Sequence, residues 1–97
     1  MRLRRSALAI ADGNHIRDYI AADNPRAAID MDERLWKAAV SLKHFPQKGR
    51  SGKVKGTRER PVAGTPYILA YRIQGEAIRI VRIMHGAQRW PKTMPQL

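Results

Sequence analysis

Between Gly56 and Pro91 the chain carries three runs of strand-forming residues: Arg58–Val62, Tyr67–Gln74 and Ala77–His85. Gly64-Thr65-Pro66 and Gln74-Gly75-Glu76 separate them. Short runs rich in Tyr, Ile, Leu and Val, punctuated by Gly and Pro, fold as an antiparallel meander. Period-two alternation then assigns faces. Tyr67, Leu69, Tyr71 and Ile73 share one face of the middle run, and Ile68, Ala70 and Arg72 share the other. In the last run Ile78, Ile80, Arg82 and Met84 alternate with Ala77, Arg79, Val81, Ile83 and His85. Both faces of that run are mostly apolar, which makes it a central strand. Arg72, Arg79 and Arg82 nevertheless lie inside the runs, and Arg89 follows them. A buried charge without a partner is costly, so each needs a carboxylate of the chain or a group from another molecule.

The rest of the chain reads as cover for one face of this sheet. Met1–Arg5 is short and charged, which suits an edge strand. Ser6 is a candidate N-cap for a first helix reaching to about Ala22, with Ala9, Ile16, Tyr19 and Ile20 on one face. Gly13 interrupts that helix at a cost of about 1 kcal/mol against Ala. It fits either a close helix–helix approach or a helix that starts late, near Asp12. Asn24 and Pro25 suit an N-cap and a first helical residue. A second helix then runs to about Phe45, where Pro46 ends it. Ala28, Met31, Leu35, Ala38, Leu42 and Phe45 form its stripe, broadened by Ile29, Trp36 and Ala39. Acidic residues early in this helix, and Lys43 and His44 late, complement its dipole. Two helices joined by so short a turn form an antiparallel hairpin. Met31 and Trp36 read as core or groove wall.

Charge narrows the function. Nineteen Lys plus Arg against eight Asp plus Glu give +11 over 97 residues, a single domain spanning 1–97. Such an excess implies an acidic partner: nucleic acid, ribosome or an acidic protein. Residues 48–60 concentrate it, with Lys48, Arg50, Lys53, Lys55, Arg58 and Arg60 against Glu59. This glycine-rich loop is either a solvated connection or a phosphate contact. It lacks the GK[ST] ending of a P-loop. Without cysteine there is no disulfide framework and no thiolate metal site, which fits the cytoplasm. His15, His44 and His85 have no metal-ligand spacing, so neither a metal nor a cofactor is expected. The basic start has too short an apolar run for a signal peptide, and nothing approaches a membrane span.

The segments YIAADNPRAA (Tyr19–Ala28), GR-x-G (Gly49–Gly52), GTRE (Gly56–Glu59), PYILAYRI (Pro66–Ile73) and IRIVRIMHGAQRWP (Ile78–Pro91) occur in an order that resembles the RelE/ParE superfamily. These are bacterial toxins of type II toxin–antitoxin modules. The resemblance covers about three quarters of the chain. It implies an α+β fold: an N-terminal edge strand, then an antiparallel helix hairpin packed on a small twisted antiparallel sheet. It also implies an acidic, ParD-like antitoxin whose disordered segment folds on the toxin.

The superfamily has two activities: RelE-like ribosome-dependent cleavage of mRNA, and ParE-like inhibition of DNA gyrase. The nuclease members resemble one another in an arginine just after the aromatic that opens the middle strand, where this chain has Ile68. Many of them also end in a catalytic tyrosine or a His-Tyr pair, and this chain has no tyrosine after Tyr71. The ending HGA-x-RWP looks like the ParE branch. The resemblance therefore implies a gyrase inhibitor of the plasmid-stabilization type that works by binding, without catalytic residues. Arg58, Arg72, Arg79, Arg82, His85, Arg89 and Trp90 are the expected contacts to target or antitoxin. Trp90 reads either as core beneath the helices or as an exposed anchor. The antitoxin is expected in the helix-hairpin groove and on the basic surface. The alternative is a RelE-like endoribonuclease with His85 as base and Arg82 and Arg89 as phosphate clamps. A third reading is a non-toxic basic module that binds nucleic acid.

Overall fold

A computed structural model describes residues 1–86 of the chain. Strand β1 (Arg2–Arg5) leads into helices α1 (Ala7–Ala21) and α2 (Pro25–Ser41). The strands β2 (Arg50–Ser51), β3 (Arg58–Pro61), β4 (Tyr67–Gln74) and β5 (Ala77–His85) follow. The sheet order is β1-β5-β4-β3-β2. Strands β3 to β5 form the expected meander, with β5 interior between β1 and β4, and the short β2, inside the segment read as a loop, adds a further antiparallel strand beyond β3. The expected antiparallel sheet is in fact mixed, because β1 pairs parallel with β5. The hairpin α1–α2 forms the crossover that parallel neighbours require. Gly75 takes φ 58° at the first position of the β4–β5 connection, where a type II′ turn demands glycine.

Both helices start where their caps predict. Ser6 Oγ accepts the Ala9 N–H at 2.9 Å and donates to Val81 O at 2.8 Å, so one hydroxyl caps α1 and ties it to the sheet. Asn24 Oδ1 accepts the Ala27 N–H at 3.1 Å, with Pro25 at the helix start. Helix α1 runs unbroken through Gly13, which removes the late-start alternative. Helix α2 stops four residues before Phe45. Its exit tightens into i−3 bonds, Leu42 N–H to Ala39 O and Lys43 N–H to Val40 O, before Pro46 forbids further helix.

One core lies between the hairpin and the sheet. It gathers Ala9, Leu35, Ala39, Leu42, Val62, Leu69, Tyr71, Ile78 and Ile80. Burying Leu42, Leu69, Ile78 and Ile80 stabilises the fold by about 1.5–3 kcal/mol each. A smaller cluster of Val54, Ala70 and Val81 lies on the other face of the sheet.

The simple alternation expected along β5 fails at one point. A bulge shifts the register between Ala70 and Tyr71, so Tyr71 pairs with Ile80 and Ala70 with Arg82. Val81 is the extra residue. Ile80 and Ile83 therefore both face the helices, three residues apart instead of two or four. The amphipathic stripes are also wider than the core needs. Tyr19 is 80% exposed, Phe45 61% and Ile29 57%.

Candidate functional site

The helix hairpin does not close fully over the sheet. A cleft of about 350 Å³ runs between α1 and α2 down to the sheet. Leu35, Ala39, Leu69, Ile80 and Ile83 line it, and Ile10 and Trp36 stand half-open at its side. Arg5, Arg17 and Asp32 are at its border. Arg5 lies over the Trp36 ring, with its guanidinium carbon 5.1 Å from the centroid, a cation–π contact. Gly13 lines the same cleft. A Cβ there would meet only Ile83 Cδ1, at 3.8 Å, so Gly13 marks open space and not a tight helix–helix approach.

The basic loop is built, not slack. Tyr71, fully buried, sends its hydroxyl to Pro46 O at 2.7 Å and accepts the Gly49 N–H at 2.9 Å. A Cβ on Gly49 would sit 2.5 Å from that oxygen, so the first glycine of GR-x-G serves close approach. Gly52 is equally confined by Thr57. Glu59 is the only buried carboxylate among the described residues. It accepts the Lys53 N–H at 2.9 Å and pairs with Arg50 at 3.2 Å. Lys48, Arg50, Lys53 and Lys55 remain exposed around this frame. Glu59, absent from the expected contacts, is thus the hub of the loop. The sequence carried no signal for this role, because the pairing of Arg50 with Glu59 exists only in the register of β2 against β3.

The arginines and histidine singled out from the sequence do not converge. Arg58 is on the helix side of β3 and donates to Gly49 O at 2.8 Å. Arg82 reaches α1: its Nε and Nη2 donate to Asp12 Oδ2 and Oδ1 at 2.8 and 3.0 Å. That hydrogen bonding raises the Arg82 guanidinium pKa above its ordinary value, against the opposing effect of burial, with the Asp12 charge adding to the rise. Asp12 Oδ2 also accepts the Ile83 N–H at 2.9 Å, closing the edge of β5 that β1 leaves open. Arg72 and Arg79 lie on the face away from the helices, paired across β4 and β5. His85 is exposed at the end of β5, its ring edge-on to Tyr67 with centroids 5.7 Å apart. It borders a shallow pocket with Asp12, His15 and Tyr19. Arg89 and Trp90 lie outside the described residues. Among the described residues no group of three or more His, Asp or Glu could hold a metal ion. No helix there is long and apolar enough to cross a membrane.

Residues 3–90 match the family model of the ParE toxin of type II toxin–antitoxin systems, parDE. The chain belongs to the ParE toxin family. It is 37% identical over 93 residues to the putative toxin Y4kP of Sinorhizobium fredii, covering 96% of each chain. It is 40% identical over 80 residues to toxin RelE2 of Caulobacter vibrioides, covering 82% of this chain and 89% of that one. Its fold is similar to a chain of the chromosomal ParDE system from P. aeruginosa, with TM-score 0.73 and 26% identity over 88% of this chain and 95% of that chain. This ParE-family chain is therefore the toxin of a type II toxin–antitoxin system, and the family implies an antitoxin partner. The names of the relatives straddle the ParE and RelE branches.

Proposed function

We propose that this toxin acts by binding DNA gyrase and stalling it with its DNA cleaved, and that its antitoxin occupies the α1–α2 cleft. What supports a binding mode is the engagement of Arg82. A nuclease reading needs a mobile cation near His85 to clamp a scissile phosphate. The Arg82 guanidinium is instead tied to Asp12 through two hydrogen bonds. The arginine that would follow Tyr67 is Ile68. A toxin whose machinery is a basic surface needs neither.

The cleft suits an acidic segment that folds on contact. Its apolar floor would take hydrophobic side chains, and Arg5 and Arg17 at the border would meet carboxylates. The occupant is the antitoxin.

The alternative is a RelE-like endoribonuclease that cuts mRNA on the ribosome, favoured by the 40% identity to toxin RelE2. A supercoiling assay with purified gyrase and the toxin in stoichiometric excess tests the proposal. Lost supercoiling supports it, and undisturbed supercoiling overturns it.

A further inference from the structure

On the face of the sheet away from the helices, three arginines lie in one row across three neighbouring strands. Arg4 of β1 pairs with Arg79 of β5, and Arg79 pairs with Arg72 of β4. All three point to the same face, since the residues beside them, Leu3, Tyr71, Ile73, Ile78 and Ile80, pack into the core under the helices. Adjacent strands are roughly 4.8 Å apart, and like charges directly opposite one another are destabilising. The chain answers Arg50 with Glu59, Arg82 with Asp12 and Arg58 with Gly49 O. Among the described residues it gives the guanidinium groups of Arg4, Arg79 and Arg72 no hydrogen bond or ion pair, and Arg79 Nε is buried without a hydrogen-bond partner. A buried donor left unmade is rare and calls for an explanation.

The basic loop closes on one end of the row. Gly56, at φ 82°, brings its backbone so close to Arg72 that a Cβ would lie 2.7 Å from Nη1. Val54 pins the basic loop onto Ala70 and Val81, two residues from Arg72 and Arg79 along their strands. Exposed Lys53 and Lys55, which flank Val54, are thereby kept on the same side of the sheet.

We propose that Arg4, Arg79 and Arg72 form a phosphate-binding site. A carboxylate supplies two oxygens and one charge, which answers one guanidinium. A phosphate presents more acceptor oxygens, and a run of them along a nucleic-acid backbone answers the whole row and the lysines beside it. The source is a nucleic-acid backbone; a free phosphate ion has the same chemistry. The site goes beyond the gyrase reading and stands whichever target is poisoned. It is distinct from the surroundings of His85, which pairs with Tyr67 five residues further along β4, roughly 17 Å away.

The test uses the purified full chain, Arg79→Gln, Arg4→Gln, and Lys37→Gln on the exposed side of α2 as control. Anisotropy of a labelled oligonucleotide reads affinity at several salt concentrations. Thermal melting with added inorganic phosphate, at constant ionic strength, reads the site without nucleic acid. The expected result is about tenfold weaker oligonucleotide binding for Arg79→Gln, and a log–log salt slope lower by about one. Lys37→Gln leaves both unchanged. Phosphate raises the melting temperature of the native chain and not that of Arg79→Gln. Arg4→Gln, at the sheet edge, repeats the pattern if Arg79→Gln fails to fold. A phosphate shift lost in the variants, with oligonucleotide binding unchanged, keeps the site and assigns it to the free ion. Equal oligonucleotide binding and equal phosphate shifts in native chain and variants overturn the proposal.

Discussion

Asp12 and Arg82, 70 residues apart in the chain, meet through two hydrogen bonds of 2.8 and 3.0 Å on the edge of the central strand. The same carboxylate takes the Ile83 N–H. One side chain of α1 thus completes a strand edge that β1 is too short to cover, and it holds an arginine away from solvent-borne anions. The pair is partly buried, with side chains 23% and 16% exposed, so screening by water only partly weakens it.

Asp12→Ala is therefore expected to cost about 2–3 kcal/mol, because it leaves Arg82 and the Ile83 N–H without their acceptor. Urea unfolding of Asp12→Ala, Arg82→Met and the double variant measures the coupling. The double variant should be more stable than the sum of the single losses predicts. Strict additivity would show that the two residues act separately.

Tyr71→Phe removes the hydroxyl that joins Pro46 O to the Gly49 N–H. The expected loss is about 1–3 kcal/mol, with two polar groups stranded. Gly49→Ala should cost at least as much, since its Cβ would strike the same oxygen. Faster hydrogen exchange around residues 47–52 in both variants, and not elsewhere, identifies the damage as local.

Gly13 separates stability from binding. Gly13→Ala should stabilise α1 by about 1 kcal/mol, because the helix gains an alanine and the methyl meets only Ile83 Cδ1 at 3.8 Å. Gly13→Leu should fill the cleft. Calorimetric titration with the antitoxin is expected to show weaker binding for Gly13→Leu by tenfold or more, with the fold intact. Unchanged affinity would place the antitoxin elsewhere.

Ser6→Ala removes both the cap of α1 and the bond to Val81 O. A loss of about 1–2 kcal/mol in chemical denaturation is expected. Ser6→Thr should recover part of it, because the hydroxyl is retained.

Local signals carried much of this fold. Asn24-Pro25 marked the start of α2 because capping is a matter of neighbours in the chain. Gly75 marked the β4–β5 turn because only glycine takes its φ cheaply. The edge strand, the helix hairpin and the central last strand followed from short-range pattern. What stayed hidden depends on pairs of elements. The bulge at Val81 exists only in the register of β5 against β4, so alternation placed Ile83 and Met84 on the wrong faces. The parallel pairing of β1 is a property of the crossover. Tyr19 and Phe45 fit a helical stripe that the sheet is too small to cover. The arginines of the strands were legible as residues in need of partners. Which of them the chain itself answers, Arg82 by Asp12 but Arg79 by nothing among the described residues, required the tertiary structure.

The most direct test of a binding mode combines two readouts on one toxin preparation. Gyrase and relaxed plasmid report supercoiling and trapped cleaved DNA, and ribosomes on a defined mRNA report cutting. Gyrase stalled with cleaved DNA, and mRNA left intact, are the outcome predicted here. Cut mRNA with normal supercoiling, abolished by His85→Ala, would contradict it and place this chain with the endoribonucleases.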